Sequence, residues 1–270
     1  MLIKIKATAD YINSKIQDSV KAGIILGSGL GGLVNEINIH TTIPYEEIPN
    51  FPVSTVEGHQ GRLIFGELGG VPVLAMQGRF HFYEGYSMEQ VTFPVRVMKQ
   101  LGINSLFVSN ASGGLNPEYR VGDLMIISDH INFFPEHPLH GKNHDELGPR
   151  FPDMSEVYSK ALRSKAKLIA AKNNIKIHEG VYVGVQGPTF ETPAEYKMFR
   201  ILGGDVVGMS TVPEVIVARH MNMTIFGISI VTDSGVPGEI VEISHEEVQE
   251  IASKAEPYMT LLLKELIKSL

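Results

Sequence analysis

The chain has 270 residues, of which 23 are basic and 30 acidic, giving a formal net charge of −7. A negative net charge argues against nucleic acid as the main partner, because a duplex binder needs a cationic face. A chain without cysteine has no disulfide, thiolate nucleophile or cysteine-bound metal, so those classes are excluded. No apolar run approaches a membrane span and the first residues form no signal-peptide core, which predicts a cytoplasmic protein with neither nucleic acid nor membrane as a partner.

Hydrophobic periodicity and turn residues predict the secondary structure. In chain order the elements are a short helix (14–21), a strand (23–26), a hairpin of two strands (62–68 and 71–77), a helix from 87 to about 102, strands at 105–109 and 123–128, a helix face through 154–162, a strand (181–185), a helix (192–202), a strand (206–208), a helix (213–221), a strand (223–231) and a C-terminal helix from 244. Two of these helices open on a capping box, Ser87 with Gln90 and Ser244 with Glu247, and Pro94 is expected to kink the first.

The alternation of strands and helices favours an α/β fold, with a mixed or mostly parallel central sheet flanked by helices. No internal repeat and no linker rich in Pro, Gly or Ser divides the chain, so a single domain over residues 1–270 is expected. The longest predicted loop, from Ile131 to Pro152, is polar and contains three histidines. Long loops of this kind are typically functional or mobile.

The first candidate site is the glycine-rich turn Gly27–Gly32, which follows the strand 23–26 and matches G-x-G-x-x-G. A turn of this type at a helix N-terminus presents backbone N–H groups to an anion, and Ser28 adds a hydroxyl. Three interpretations are open: a phosphate site, a structural turn, or a dinucleotide site. The last is weakened because Glu46 and Glu47, where a ribose-binding acid would fall, follow no evident second strand.

A second candidate follows the strand 71–77. Arg79 and His81 alternate along extended backbone, so both side chains can point to one side and bind an oxyanion. The alternative is a surface arginine beside a structural histidine. His59, in the dipeptide Gly58-His59, is a weaker cue of the same kind.

Residues 109–117 and 186–193 place small, polar or aromatic side chains where predicted strands end, which is where α/β sheets bind ligands. The first segment is interpreted as a loop that leaves room for a flat ligand, or as a tight connecting turn. In the second, Phe190 can stack on a heterocycle while Glu191 accepts hydrogen bonds from the N–H groups of that heterocycle. The alternative is that Thr192 caps a helix and Glu191 is solvated.

Two further strand ends carry polar groups. Residues 207–214 form a turn with hydroxyls, and Asp233 closes the last apolar strand, where an acid is hard to explain as core. No histidine pair has metal-binding spacing, and neither H-E-x-x-H nor G-x-S-x-G occurs. A metal centre or a covalent serine mechanism is therefore not expected.

Together and in this order, the segments resemble the trimeric, low-molecular-mass purine nucleoside phosphorylases over most of the chain. The segments that carry the resemblance are Gly27–Gly31, Gly58-His59, Arg79–His81 with Tyr83–Gly85, Asn110-Ala111 with Gly113–Pro117, Arg150–Pro152, Gly187-Pro188 with Phe190–Thr192, and Gly208–Glu214 running on to Arg219-His220. The resemblance implies one α/β domain around a distorted mixed sheet, a homotrimer, and phosphorolysis of purine ribonucleosides in purine salvage. Inorganic phosphate would be a co-substrate, and no metal or organic cofactor would be needed.

The resemblance also implies a role for each site residue. Phosphate would be held by Ser28, His59, Arg79, His81, the Ala111 backbone and Ser210; the sugar by Tyr83, Met209 and His245; and the base by Phe190, Glu191, Val207 and Asp233. His81, Glu191 and Asp233 are the catalytic candidates. Glycosidic cleavage builds positive charge on the sugar and negative charge on the purine, so groups placed at those charges supply the catalysis, without an enzyme nucleophile.

Two positions depart from the family pattern. Asp233 stands where the 6-oxopurine enzymes usually have Asn and the related methylthioadenosine phosphorylases have Asp. An ionised Asp only accepts hydrogen bonds, which suits a 6-amino group, unless its site protonates it to serve as a donor to N7. Leu147 stands where the family often has a Phe that reaches the ribose of the neighbouring subunit.

The substrate interpretation follows from three residues. Glu191 accepts from the N1–H of hypoxanthine or guanine, and His245 suits a free 5′-hydroxyl, so inosine, guanosine and their 2′-deoxy forms are favoured over the 6-amino substrates suggested by Asp233. A 5′-methylthioadenosine phosphorylase is the alternative within the family. An NAD-dependent dehydrogenase and a non-catalytic nucleoside-binding module are the alternatives from other classes.

Overall fold

The computed structural model describes residues 1–16, 19–56 and 60–270. The α-helices are α1 (Leu2–Asn13), α2 (Met88–Gln100), α3 (Lys160–Lys172), α4 (Pro193–Ile201), α5 (Val212–His220) and α6 (His245–Ile267). The strands are β1 (Ala22–Leu26), β2 (Ile37–Pro44), β3 (Arg62–Leu68), β4 (Val71–Gln77), β5 (Ser105–Gly114), β6 (Leu124–Asn132), β7 (Ile177–Gly184), β8 (Val206–Gly208) and β9 (Thr224–Ser234).

The nine strands form one mixed sheet in the order β2-β3-β4-β1-β5-β8-β7-β6-β9. Strand β1 runs parallel to β4 and β5, whereas β3 is antiparallel to both β2 and β4. Strand β9 pairs with β6 and also returns to pair in parallel with β5. The strands β5, β8, β7, β6 and β9 therefore close into a ring, and the predicted α/β fold with a distorted mixed sheet is confirmed.

Helices cover both faces of the sheet. The adjacent residues Ile24 and Ile25 of β1 point into different hydrophobic clusters, as the two-residue period of a strand requires. Helices α1, α2 and α5 pack together over the cluster that contains Ile25, and α3 and α6 pack together over the other. Within the described ranges, no helix has both the length and the apolar character needed to cross a membrane.

Several predicted elements are confirmed at their bounds. The hairpin consists of β3 and β4, which pair antiparallel from Arg62↔Gln77 to Leu68↔Val71. Both capping boxes form at the starts of α2 and α6, and Thr192 caps α4 in the same way. Local side-chain to backbone hydrogen bonds decide these helix starts, which is why short sequence patterns identify them.

The predicted helix over 14–21 is wrong. The first helix ends at Asn13, and Ser14 and Lys15 form a turn after it. Helix α1 forms earlier because Ile5, Ala9 and Ile12 make a face that is buried in the core. Residues 17 and 18 of the predicted helix lie outside the described residues.

The predicted helix face through 154–162 is also placed too early. Helix α3 begins at Lys160, where the Ser159 hydroxyl accepts from the Leu162 N–H at 3.3 Å. Val157 and Tyr158 are buried all the same, in an irregular segment. Their apolar spacing therefore reflects burial without a helix.

Two strand assignments change. Strand β2 was missed because it is an edge strand with a mostly exposed, polar sequence that pairs only with β3. It ends at Pro44, two residues before Glu46, so a second strand does precede that position. Strand β5 runs to Gly114, so residues 109–114 are strand and not loop, because pairing with β8 and β9 outweighs the weak β-propensity of small polar residues.

Candidate active site

One cavity collects side chains from the ends of several strands and from the start of α6. Of the predicted site residues, those that line it are Ser28, Arg79, His81, Tyr83, Ala111, Phe190, Glu191, Val207, Met209, Ser210, Asp233 and His245. His59, also predicted, lies outside the described residues. Ser28 and Asp233, 205 positions apart in sequence, meet because β1, which precedes Ser28, and β9, which carries Asp233, both pair with β5.

Arg79 is the most constrained side chain of the cavity. It is 1% exposed, and its Nε and Nη2 donate to the two carboxylate oxygens of Glu214, itself 3% exposed, at 3.2 and 3.1 Å. Nη1 donates to the Ser109 carbonyl at 2.8 Å and to the Ser210 hydroxyl at 3.2 Å. The Arg79–Glu214 pair is neutral overall, so it would hold an anion through directed donors and not through net positive charge.

The turn that presents Ser210 is held in a strained backbone conformation. Thr211 has φ of 68°, a region that a β-branched residue rarely adopts. Its hydroxyl accepts from Asn110 Nδ2 at 2.9 Å, and Asn110 Oδ1 accepts from the Ser229 hydroxyl at 2.6 Å. This buried network fixes the turn between β8 and α5, and strain stored in this way is typical of functional sites.

The glycine-rich turn contributes Ser28 to the cavity but not a helix N-terminus. The turn leads into a short 3₁₀ helix, Gly31–Glu36, whose Gly32 and Leu33 N–H groups donate to the Glu256 carboxylate of α6. A Cβ at position 32 would overlap that carboxylate, which explains the glycine. The Gly32 and Leu33 amides are therefore not available to a ligand anion, because an internal carboxylate already occupies them, and phosphate binding by Ser28 stays a prediction.

Replacing Glu256 with Ala is expected to lower the free energy of unfolding by about 1–3 kcal/mol, because two buried amides lose their acceptor. Urea denaturation measures the change. The control Glu250→Ala removes an exposed carboxylate of the same helix, whose pair with Lys254 is at the surface and contributes little. Equal stability of the two variants would contradict the structural role of Glu256.

His81 is buried beside Arg79 and is held by a carboxylate. Burial lowers the pKa of His81, and the Arg79 charge adds to this, although the hydrogen bond with Glu84 opposes it. Burial raises the pKa of Glu84, but hydrogen bonds from His81 and Thr55 outweigh that effect and bring it to about 2. Glu84 is therefore ionised and only accepts, so the neutral ring carries its hydrogen on Nδ1, 3.1 Å from Glu84. Its Nε2 can then accept a hydrogen bond or a proton from a ligand O–H.

Two carboxyl groups of the cavity, Asp233 and Glu191, have raised pKa values, in contrast to Glu84. Asp233 is buried, with Oδ1 accepting from the Thr232 hydroxyl at 3.0 Å and Oδ2 from the Tyr196 hydroxyl at 3.2 Å. Burial raises the pKa of Asp233, although these two hydrogen bonds oppose it. Burial also raises the pKa of Glu191 to about 7, with a further contribution from the Asp233 charge. Near neutral pH, Glu191 can therefore change between donor and acceptor.

The remaining predicted residues supply an aromatic and polar surface. The Tyr83 ring stacks on the His81 ring, with centroids 4.7 Å apart. Met209 lies against Gly187, on the turn that precedes Phe190. His245 begins α6, and its Nε2 lies 2.8 Å from Gln249 Nε2. The cavity thus has flat, apolar and hydrogen-bonding parts, as a site for a heterocycle attached to a polyol requires.

Comparison with known proteins identifies the family. A model of the phosphorylase superfamily matches residues 21–268. Purine nucleoside phosphorylase 1 of Bacillus subtilis (strain 168) is 54% identical over 264 residues, which covers 98% of this chain and 97% of that protein. The chain belongs to the purine nucleoside phosphorylase family.

Solved structures of purine nucleoside phosphorylases agree in fold. The Schistosoma mansoni enzyme in complex with adenosine superposes with a TM-score of 0.95 at 43% identity, covering 100% of this chain and 98% of that one. A schistosoma enzyme in complex with hypoxanthine superposes with a TM-score of 0.94 at 42% identity, with the same coverage. The resemblance inferred from the sequence motifs is confirmed, and membership of this family does not support the dehydrogenase alternative.

Sequence reasoning gave no role to several residues that organise this phosphorylase site. Glu214 and Asn110 lie within the segments that carried the resemblance. Only the structure shows that Glu214 is hydrogen-bonded to Arg79 and Asn110 to Thr211. Glu84 lies three residues after His81, a spacing at which a carboxylate can reach back to a helix start. No local sequence pattern identifies Tyr196 as a site residue, because its partner Asp233 is 37 residues away in sequence.

Two further expectations concern groups near the site. In the part of the chain that the structure describes, no cluster of three or more His, Asp or Glu side chains has the arrangement of a metal site. Leu147 is half-buried against the hydrophobic cluster of its own chain, which contains α2 and α5. Its side chain therefore contributes to packing within its own chain.

Proposed function

We propose that this chain catalyses the phosphorolysis of purine ribonucleosides, converting inosine, guanosine and their 2′-deoxy forms with inorganic phosphate into free base and (deoxy)ribose 1-phosphate, in purine salvage. The observation that carries the proposal is one cavity that combines the donor cluster around Arg79 with the half-buried carboxyl of Glu191 and the buried carboxyl of Asp233. The family relationship supports it, as do relatives solved with adenosine and with hypoxanthine. The proposed reaction uses no metal or organic cofactor.

In the proposed reaction, phosphate binds among Ser28, Arg79, His81, the Ala111 backbone and Ser210, with His59 as a further candidate. Arg79 is held rigidly by Glu214 and touches Ser210, so these donors are in place before the ligand arrives. The neutral His81 ring accepts a hydrogen bond at Nε2 from the O–H of the phosphate dianion HPO₄²⁻, and no proton is transferred. The dianion is the better nucleophile and the better partner for a cationic sugar.

The sugar lies between phosphate and base, against Tyr83, Met209 and His245. As the glycosidic bond breaks, charge on the sugar is stabilised by the phosphate below it, and phosphate oxygen then bonds to the anomeric carbon. The electron pair of the broken bond stays on the purine. Phe190 and Val207 contact the ring, Glu191 accepts from N1–H, and protonated Asp233 donates to N7, which neutralises the leaving group.

A phosphate-dependent base-release assay tests this proposal. The purified protein is given inosine, guanosine, adenosine and 5′-methylthioadenosine, with and without phosphate, in the presence of a chelator. We expect base release from inosine and guanosine only with phosphate, and ribose 1-phosphate as the second product. Release in phosphate-free buffer would show a hydrolase, and binding without release would show a non-catalytic module. A preference for methylthioadenosine, which the carboxyl group of Asp233 favours, would reassign the substrate.

Asp233→Asn is expected to keep or raise kcat/KM for inosine, because an amide donates to N7 at every pH without needing a proton from the site. Steady-state kinetics at pH 7 measure the change. Asp205→Asn, which alters a carboxylate bonded to Asn116 and the Val181 N–H outside the cavity, is the matched control. A loss of inosine activity confined to Asp233→Asn would show that the carboxyl group itself is required.

We further propose that the enzyme is a cytoplasmic homotrimer. The segment from Ile131 to Pro152 supports an intersubunit contact, because Phe151 is 87% exposed and Phe133 is also exposed. Light scattering coupled to gel filtration measures the mass directly. A monomer at micromolar concentration would contradict the proposal.

A further inference from the structure

The hydroxyl of Tyr196 lies between the two base-site carboxyls. It donates to Asp233 Oδ2 at 3.2 Å and lies close enough to Glu191 to act on the pKa of that carboxyl. Both carboxyls line the cavity, whereas the buried Tyr196 ring packs behind them against Leu115, Phe199 and Val207. A Cβ at position 235 would overlap this ring, so Gly235 leaves the space in which the ring sits.

A phenol suits this position chemically. It has one hydrogen to donate and lone pairs that accept, so it can donate to one carboxylate while accepting from the other, protonated carboxyl. Burial, together with the charges of Asp233 and Glu191, raises the pKa of Tyr196, which keeps the hydroxyl protonated. The bridge is therefore a donor–acceptor relay between Glu191 and Asp233.

Two carboxyls that share one tyrosine hydroxyl in this way resist being ionised at the same time. The groups that act on Glu191 are its own N–H, Tyr196, Asp233 and Glu195; those on Asp233 are Thr232 and Tyr196. None of these is a cation, so burial and mutual repulsion favour retention of one proton by the pair. One carboxyl oxygen of Glu191 and one of Asp233, with a single proton between them, also match the edge of a purine, because the purine needs a hydrogen-bond donor from the pocket at one position and an acceptor at the other.

The position of that proton determines which purine fits. A 6-oxopurine presents N1–H and an N7 acceptor, so it needs ionised Glu191 and protonated Asp233. A 6-aminopurine presents a bare N1 and an N6 amino group, so it needs protonated Glu191 and ionised Asp233. The two states contain the same number of protons and differ only in the location of one of them.

We propose that Tyr196 is a positioning residue through which Glu191 and Asp233 share a single proton, so that the same pocket binds both 6-oxo and 6-amino purines. The inference rests on the proposed function and specifies its substrate class. When a 6-oxopurine enters with the proton on Glu191, that O–H bond breaks, the Tyr196 oxygen takes this proton, and its own hydroxyl proton passes to Asp233. The total charge is unchanged.

The pH profile of Tyr196→Phe tests the bridge. In wild type, we expect kcat/KM for inosine to fall at low pH, where both carboxyls are protonated, and at high pH, where both are ionised. The Tyr196 hydroxyl stabilises the ionised carboxylates and so lowers their pKa values. Its removal raises these pKa values, so both the low-pH and the high-pH side of the kcat/KM profile should move to higher pH by about one unit. At pH 7 we expect kcat/KM to fall roughly 10-fold for inosine and for adenosine.

The matched control is Tyr158→Phe. This residue is also buried, and its hydroxyl contacts His130 Nδ1 at 3.1 Å, away from the cavity. It should leave the pH profile unchanged. Thermal melting of both variants separates a folding defect from a change in the site. A Tyr196→Phe profile that superimposes on that of wild type would overturn the inference.

Proton counting gives a readout that does not depend on turnover. Hypoxanthine and adenine are titrated into the protein by calorimetry, in buffers of different ionisation enthalpy, at the pH of maximal inosine activity. Wild type should bind both bases without net proton exchange, whereas Asp233→Asn should take up about one proton with adenine, because Glu191 then lacks a donor partner. Uptake of a proton by wild type with adenine would contradict sharing.

The outcomes separate the two proposals. Absence of phosphate-dependent base release in wild type would refute the proposed function. Base release from inosine, with adenosine inert and the Tyr196→Phe profile unmoved, would refute only the shared proton. Release from both nucleosides, with the shift in the variant, would support both.

Discussion

Replacing Glu191 with Ala is expected to lower kcat/KM for inosine by roughly 10²-fold or more, because the N1–H of the base loses its acceptor in a half-buried site. The loss should appear mainly in kcat if the contact strengthens as the purine becomes anionic, and in KM if it is equally strong in the ground state. Initial rates with saturating phosphate measure both constants.

The control for Glu191→Ala is the same change at Glu118, an exposed residue after β5 that does not line the cavity. Glu191→Gln keeps the shape and one acceptor oxygen, so it should lose less activity than Ala. Inosine kinetics that stay at the wild-type level in Glu191→Ala would contradict the base-edge role. A large drop in the Tm of Glu191→Ala relative to the Glu118→Ala control would point to a structural role instead.

Replacing Arg79 with Ala is expected to raise the KM for phosphate about 10²-fold while changing the KM for inosine little, since the guanidinium belongs to the donor cluster. The substitution also leaves the buried Glu214 carboxylate without its partner. Removing one member of a buried ion pair costs about 3–5 kcal/mol, so the free energy of unfolding should fall by that amount.

The double variant Arg79→Ala/Glu214→Ala distinguishes the two effects of the Arg79 change. Without either charge, the site no longer contains an unpaired buried carboxylate, so the double variant should be more stable than Arg79→Ala alone. Its KM for phosphate should stay high, because the donors are still missing. Arg120→Ala, at the surface, is the control for loss of an arginine. Recovery of phosphate binding in the double variant would contradict the role of Arg79.

The predicted motifs identified the site residues because each motif combines a strand end with a chemically distinctive side chain. Arg79 and His81 follow β4, Glu191 follows β7, and Asp233 closes β9. Strands β4, β1, β5 and β9 run parallel, so the ends that carry Arg79, His81 and Asp233 lie at one edge of the sheet. Strand β7 runs antiparallel to β9, and the loop after it brings Glu191 to the same cavity. What the motifs left out are the residues that hold these groups.

The glycine-rich turn shows why a local pattern was insufficient. The motif correctly placed Ser28 in the cavity, but it also predicted amides open to an anion. Glu256, more than 220 residues later, occupies the Gly32 and Leu33 N–H groups. A hydrogen bond over such a separation is decided by how α6 packs on the sheet, which the local sequence does not encode.

The amino-acid sequence by itself determined the family, the α/β class, the hairpin, the helix starts with capping boxes and the set of chemically active side chains. These depend on short-range hydrogen bonds, on hydrophobic periodicity and on residue chemistry, all of which act within a few positions of the chain. Tertiary structure alone decided that β5 extends through Asn110, that Glu214 holds Arg79, and that Tyr196 donates to Asp233. Each of those depends on which elements become neighbours in the sheet and on the burial that results, because burial is what turns a carboxyl or an arginine into a group that needs a specific partner.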